Sequence, residues 1–227
     1  MPPLYPIGPD PPAAACTVCR GPARSGYARC YQCETHEMLG HGLLADAVVP
    51  ISYAVKGTAF AEDLWRYKSP DTSAGRSLLA LLLAFLEDHA GCVWRRAAMP
   101  GPDRLAVVPS GVGRPGSHPL LALASPHISM PLWSLAIRPG RQGRDLDLQR
   151  FQAGPGPRGR GVLLLDDTWV SGASAQSAAA ALKLAGAGRV ALVVLGRHVN
   201  PADPRAARFA AGLAPGPYDP AACAVHS

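Results

Sequence analysis

The stretch from Gly161 to Gly196 constrains the fold more than any other. It reads GVLLLDDTWVSGASAQSAAAALKLAGAGRVALVVLG: an apolar run from Val162 to Leu165, an acidic pair, small and hydroxylated residues, then a segment dense in Ala and Leu. An apolar run without polar alternation, bounded by glycine, is the pattern of a strand buried on both faces, as in the centre of a parallel sheet. AQSAAAALKLAGAG is a strong helix former with Gly186 or Gly188 as its stop, and RVALVVLG is a second buried strand. Strand, helix and strand in that order predict a βαβ unit and an α/β domain with a parallel sheet flanked by helices. Ligands of such sheets bind outside the carboxyl ends of the strands, where Asp166, Asp167, Ser171 and Ser174 stand.

The same stretch carries chemistry. A helix opening at Gly172, Ala173 and Ser174 offers free N–H groups and a positive dipole end to a phosphate, and the Ser171 and Ser174 hydroxyls add donors. Two carboxylates aimed at that phosphate would repel it. Asp166 and Asp167 are therefore read as acceptors for vicinal sugar hydroxyls, directly or through Mg²⁺. A terminal phosphate with a diol beside it describes a ribose 5-phosphate. A purely structural reading, in which the pair only caps the helix and shapes the turn, leaves one carboxylate and both serines without a role.

Four of the six cysteines form two pairs, Cys16-Thr17-Val18-Cys19 and Cys30-Tyr31-Gln32-Cys33, with ten residues between them. Two such pairs bring four thiolates into tetrahedral reach of a structural Zn²⁺ and predict a zinc ribbon over residues 14–40, with Gly21 and Gly26 at its turns. A disulfide or redox dithiol is the competing reading, disfavoured without a secretion signal. A four-sulfur site keeps no open coordination position, so the metal holds structure, and the ribbon docks on the main domain or on a partner. His36 and His41 are read as solvated or core histidines, and Cys92 and Cys223 as small buried hydrophobes. The proline-rich residues 1–13 are expected to be disordered. They lack the basic start and apolar middle of a secretory signal, which predicts a cytoplasmic protein.

The chain of 227 residues, 48% hydrophobic, suffices for one domain over residues 41–227 beside the ribbon. Its longest apolar run, Leu78 to Leu86, falls short of the roughly 20 residues that cross a bilayer, so no membrane partner is expected. It is read as a core helix from Arg76 to about His89, ended by Gly91. Residues 52–68 place Phe60, Leu64 and Tyr67 at helical spacing. Leu105 to Val108 is a short strand that runs into a loop holding Ser110, Gly111, Gly113 and Arg114, suited to wrapping anionic oxygens. Residues 138–160 hold six arginines among glycines and prolines; a mobile basic cover and a solvated connector both fit. Arg205 to Ala211 is read as a helix in an irregular tail. The net charge of +6 suits phosphate-bearing ligands or nucleic acid without choosing between them.

VLLLDDTWVSGAS resembles the phosphoribosyl diphosphate (PRPP) signature of type I phosphoribosyltransferases: four apolar residues, an acidic pair, then a hydroxylated residue, Gly, any residue, and Ser or Thr. With the CxxC…CxxC segment in front, the Tyr53 to Lys68 segment, the VVPSG strand-loop and the RDLDLQR residues before the signature, nearly the whole chain resembles the ComF-like, competence-associated phosphoribosyltransferases. The resemblance implies a type I phosphoribosyltransferase-like sheet. It places Asp166 and Asp167 on the ribose hydroxyls as catalytic residues, and Thr168, Ser171, Gly172, Ala173 and Ser174 around the 5-phosphate. Ser110, Gly111, Arg114 and Arg150 fall to the pyrophosphate, and Cys16, Cys19, Cys30 and Cys33 to zinc. Two departures stand out: Thr168 and Trp169 replace the aliphatic residues that usually follow the acidic pair, and VPSGVGRPGSHP lacks the family's basic stretch ending in Arg-Gly-Phe-Asn.

Two functions follow. As an enzyme, the chain would bind Mg²⁺-PRPP and transfer ribose 5-phosphate to a nitrogenous acceptor with release of pyrophosphate. Positioning and charge stabilisation would do most of the catalysis. As a binding module, it would keep the fold for DNA handling or regulation, with the ribbon and the Arg-rich loop holding a nucleic acid or protein partner. Aromatic residues are 6% of the chain and are not interleaved with arginine as a stacking platform, which favours the enzyme. Acceptor and oligomeric state stay open.

Overall fold

The computed structural model describes residues 1–10, 12–69, 73–110, 118–141 and 143–225. Helix α1 (Tyr31–Gly40) precedes the first strand, β1 (Ala47–Val55). A short helix, α2 (Ala59–Arg66), and a long one, α3 (Ser73–Arg96), lead to β2 (Arg104–Val107) and α4 (Pro119–Ala124). Two short strands, β3 (Leu135–Ile137) and β4 (Phe151–Ala153), come before β5 (Gly161–Trp169), α5 (Ala173–Leu184), β6 (Arg189–Val199) and α6 (Pro204–Ala211). The apolar runs β1, β6, β5 and β2 lie side by side in that order, all parallel. The βαβ unit is β5-α5-β6, with Leu164 opposite Leu192.

Because successive strand residues face opposite ways, the sheet divides the core in two. Val49, Ile51, Leu163, Leu165, Val193 and Leu195 pack with α2, α3 and α6 on one side. Val48, Ala106, Val162, Leu164, Leu192 and Val194 pack with α5 and the cysteine segment on the other. Ala178, Ala179 and Ala180 of α5 are fully buried, and their small side chains let the helix lie close on the sheet.

Several elements differ from the sequence expectation. Residues 52–55 belong to β1, and the helix expected over 52–68 is confined to α2. Pro50 lies within β1, which ends the four-stranded order; an edge strand tolerates a residue without an N–H. Helix α3 passes through Gly91, which faces solvent, while Cys92 and Val93 pack inward; it ends where Ala98 turns left-handed (φ 52°) and Met99 N–H reaches the Trp94 carbonyl. At 24 residues, α3 is long and apolar enough by length and composition to cross a bilayer, yet here Leu78, Leu81, Leu82 and Phe85 lie in the core.

The proline-rich start, expected to be disordered, docks on the sheet. Leu4 and Ile7 are buried, Tyr5 N–H donates to Ser52 Oγ (3.0 Å) and Tyr53 N–H to the Tyr5 carbonyl (2.9 Å), so this segment covers the open side of β1. The Arg-rich stretch is organised as well: β3 and β4 pair antiparallel across it, and Asp147 N–H is held by Ser177 Oγ of α5 (3.0 Å).

Candidate functional site

Strand β5 does not stop at the acidic pair. Asp166 sits opposite Val194 and Thr168 opposite Gly196, so both carboxylates lie on extended backbone and the pleat turns them to opposite faces. Asp167 is buried and faces the α2 side, where its Oδ2 accepts from the Tyr67 hydroxyl (2.5 Å) and meets Lys68 Nζ (2.6 Å). Asp166 is half-buried and accepts the Asp167 N–H at Oδ1 (2.9 Å). Burial, and then the neighbouring Asp167 charge, hold its carboxyl well above the usual range, with Lys68 opposing.

Beyond β5 the chain turns sharply into α5. Trp169 is fully buried and lies against Gly172, whose left-handed backbone (φ 84°) forms the N-cap. Ser171 Oγ accepts the Ala173 N–H (3.3 Å), and half-buried Ser174 accepts from Arg150 Nη1 (3.0 Å). Arg150 is itself buried and also donates to the Asp145 carbonyl. The structure therefore groups Arg150 with Ser174 at the start of α5. The first turn's N–H groups, two hydroxyls and a buried guanidinium form one polar cluster there, suited to an anion.

Strand β2 ends beside this point, with Val107 opposite Leu165 and Val108 N–H donating to the Leu165 carbonyl. Ser110 lines a cavity of about 430 Å³ with Val107, His118, Leu121, Trp133 and Ile137, a largely apolar recess at the end of β2, the strand that pairs with β5. Gly111 and Arg114, expected at the pyrophosphate, lie outside the described residues. Tyr67 and Lys68 were not among the expected site residues. Their one signal in the sequence is scarcity: Lys68 is one of three lysines in an arginine-rich chain.

The cysteine segment makes a second centre. Cys16, Cys19, Cys30 and Cys33 are all buried, with their sulfurs within 4.8 Å of one another. The first pair lies on a turn closed by the Ala15–Pro22 bridge; Cys30 caps α1 and Cys33 lies within it, so the second pair opens a helix. The Cys19 and Cys30 sulfurs are 3.8 Å apart, and a tetrahedron with bonds of roughly 2.3 Å has an edge of about that length, so the donors fit a metal such as Zn²⁺. Hydrogen bonds from the other three thiols pull Cys16 far below the ordinary thiol range, and the same crowding pushes Cys33 far above it. A methyl group at Gly21 would overlap the buried Arg197 guanidinium, which also donates to the Trp169 carbonyl (3.2 Å); a positive charge thus links the sulfur cluster to the end of β5. His36 is buried, and burial lowers its pKa; it is not one of the clustered donors. His41 is exposed and ends α1 in a left-handed conformation (φ 47°).

No protein-family model matches the chain, and no curated protein matches it significantly.

Proposed function

We propose that this chain is a PRPP-binding phosphoribosyltransferase of the ComF-like type, with a type I phosphoribosyltransferase-like sheet and a structural zinc unit. One observation carries the reading: the carboxyl end of β5 bears Asp166 and Asp167 and passes within five residues into the N-terminus of α5, where Ser171, Ser174 and buried Arg150 gather. That arrangement supports a sugar diol at the carboxylates and its 5-phosphate at the helix start. Arg150, assigned to pyrophosphate by the resemblance, is better suited by its contact with Ser174 to the 5-phosphate. Lys68, its side chain 28% exposed beside Asp167, is a cation within reach of a departing anion. Mg²⁺, when bound with PRPP, would neutralise pyrophosphate charge. The largely apolar recess at Ser110 and Trp133, at the end of the strand paired with β5, suits a flat nitrogenous acceptor.

Calorimetric titration with Mg²⁺-PRPP tests the reading. The unsubstituted chain is expected to bind, and Asp166→Asn/Asp167→Asn of verified fold to lose at least tenfold in affinity. Binding by the parent would then justify a screen of nucleobases for pyrophosphate release. Absence of binding by a folded, zinc-loaded parent would sink the sugar-phosphate reading and make nucleic acid or a protein partner the leading ligand.

A further inference from the structure

Far from the sulfur cluster in sequence, and on the opposite face of the sheet, His89, Cys92 and Cys223 come together with their ligand atoms within 4.8 Å of one another, all three buried. His89 and Cys92 are three apart on the inward face of α3, a spacing that stacks side chains one turn apart. The Phe85 ring lies 5.1 Å from the imidazole. Cys223 arrives from the C-terminal segment, which three contacts hold in place. Before it, the Tyr218 hydroxyl donates to Asp88 Oδ2 (2.8 Å), and the Asp219 carbonyl accepts the Ala222 N–H (3.0 Å). After it, the Ala224 carbonyl accepts from Arg20, the residue that follows Cys19. Arg95 Nη2 lies 3.5 Å from the Cys92 sulfur, a cation placed to favour a thiolate.

Two thiols and an imidazole converging in a dry site are the donors a thiophilic metal ion selects, and hard cations such as Mg²⁺ prefer oxygen. We propose that His89, Cys92 and Cys223 form a second metal site for a thiophilic ion of the Zn²⁺ class, which fastens the C-terminal segment to α3. The Phe85 ring packs on the imidazole, the Arg95 guanidinium lies beside the Cys92 sulfur, and the backbone on either side of Cys223 is pinned, so each donor is positioned by its surroundings. The site is independent of the proposed PRPP chemistry and stands or falls apart from it.

The test is the zinc content of the full chain, purified under reducing conditions, loaded with Zn²⁺ and freed of excess. Cys223→Ala, a small change near the end of the chain, is expected to bind one ion fewer than the parent, and Cys92→Ala likewise. Equal zinc content in the parent and both variants would overturn the proposal, as would a Cys92–Cys223 disulfide in the freshly purified parent. Where a variant fails to fold, crystals of the unsubstituted chain grown with Zn²⁺ decide: an anomalous peak among the three side chains supports the site, and its absence there rejects it.

Discussion

At Gly172, conformation and packing make the same demand. Its backbone is left-handed, and a Cβ there would sit 2.0 Å from the Trp169 ring. Gly172→Ala is therefore expected to cost about 2–4 kcal/mol, from the left-handed penalty and forced overpacking together, read as a fall in the denaturation midpoint. Asp166 supplies a prediction with a sign. Burial, then the Asp167 charge, raises its carboxyl in the folded chain, so the folded state holds the proton more tightly than the unfolded one. Stability contributed at low pH is then lost as pH climbs from the unfolded carboxyl value, about 3.9, through the raised folded value. Without ligand, Asp166→Asn should melt above the parent at neutral pH and converge with it in acid. Melting curves that stay parallel from acid to neutral pH would contradict this account.

Among the elements, the β3–β4 hairpin converts an arginine-rich connector into a wall of the site. Ser177 is fully buried and holds Asp147 N–H, while Arg150, three residues on, reaches Ser174. Ser177→Ala leaves that N–H without its acceptor and is expected to cost about 1–3 kcal/mol. Hydrogen exchange should show the loss first over residues 141–150, ahead of β5. The N-terminal segment is an element in its own right although it forms no regular strand. Leu4 and Ile7 are each almost fully buried, so deleting residues 1–7 is expected to cost about 3–6 kcal/mol by the usual value for burying such side chains. An unchanged denaturant midpoint in the truncated chain would show that its docking contributes nothing.

For the whole molecule, the sulfur cluster and the sheet share one core, because Cys16, Cys19, Cys30 and Cys33 pack with Val48, Leu192 and α5. Stripping metal with a chelator should therefore lower the melting temperature of the entire chain and keep a single transition; calorimetry showing an early, separate melt of residues 14–40 would contradict this. The same unity explains which features the sequence revealed. The βαβ unit, β2, α6 and the cysteine pairs were legible because each rests on local signals: uninterrupted apolar runs, alanine-rich helix formers, short ligand spacings. β1 was not, since Pro50 argues against a strand until the edge position is known. Nor was the full length of α3, since Gly91 reads as a stop until Cys92 and Val93 are seen to pack. The sequence alone determined that a parallel α/β sheet forms and that an acidic pair precedes a helix N-terminus. Only the tertiary structure decided that Tyr67 and Lys68 close on Asp167, that Arg150 serves Ser174, and that Cys223 meets His89 and Cys92. Those contacts join residues 24 to 134 positions apart in the chain, and no local pattern encodes a pairing whose geometry is set by how the helices pack across the sheet.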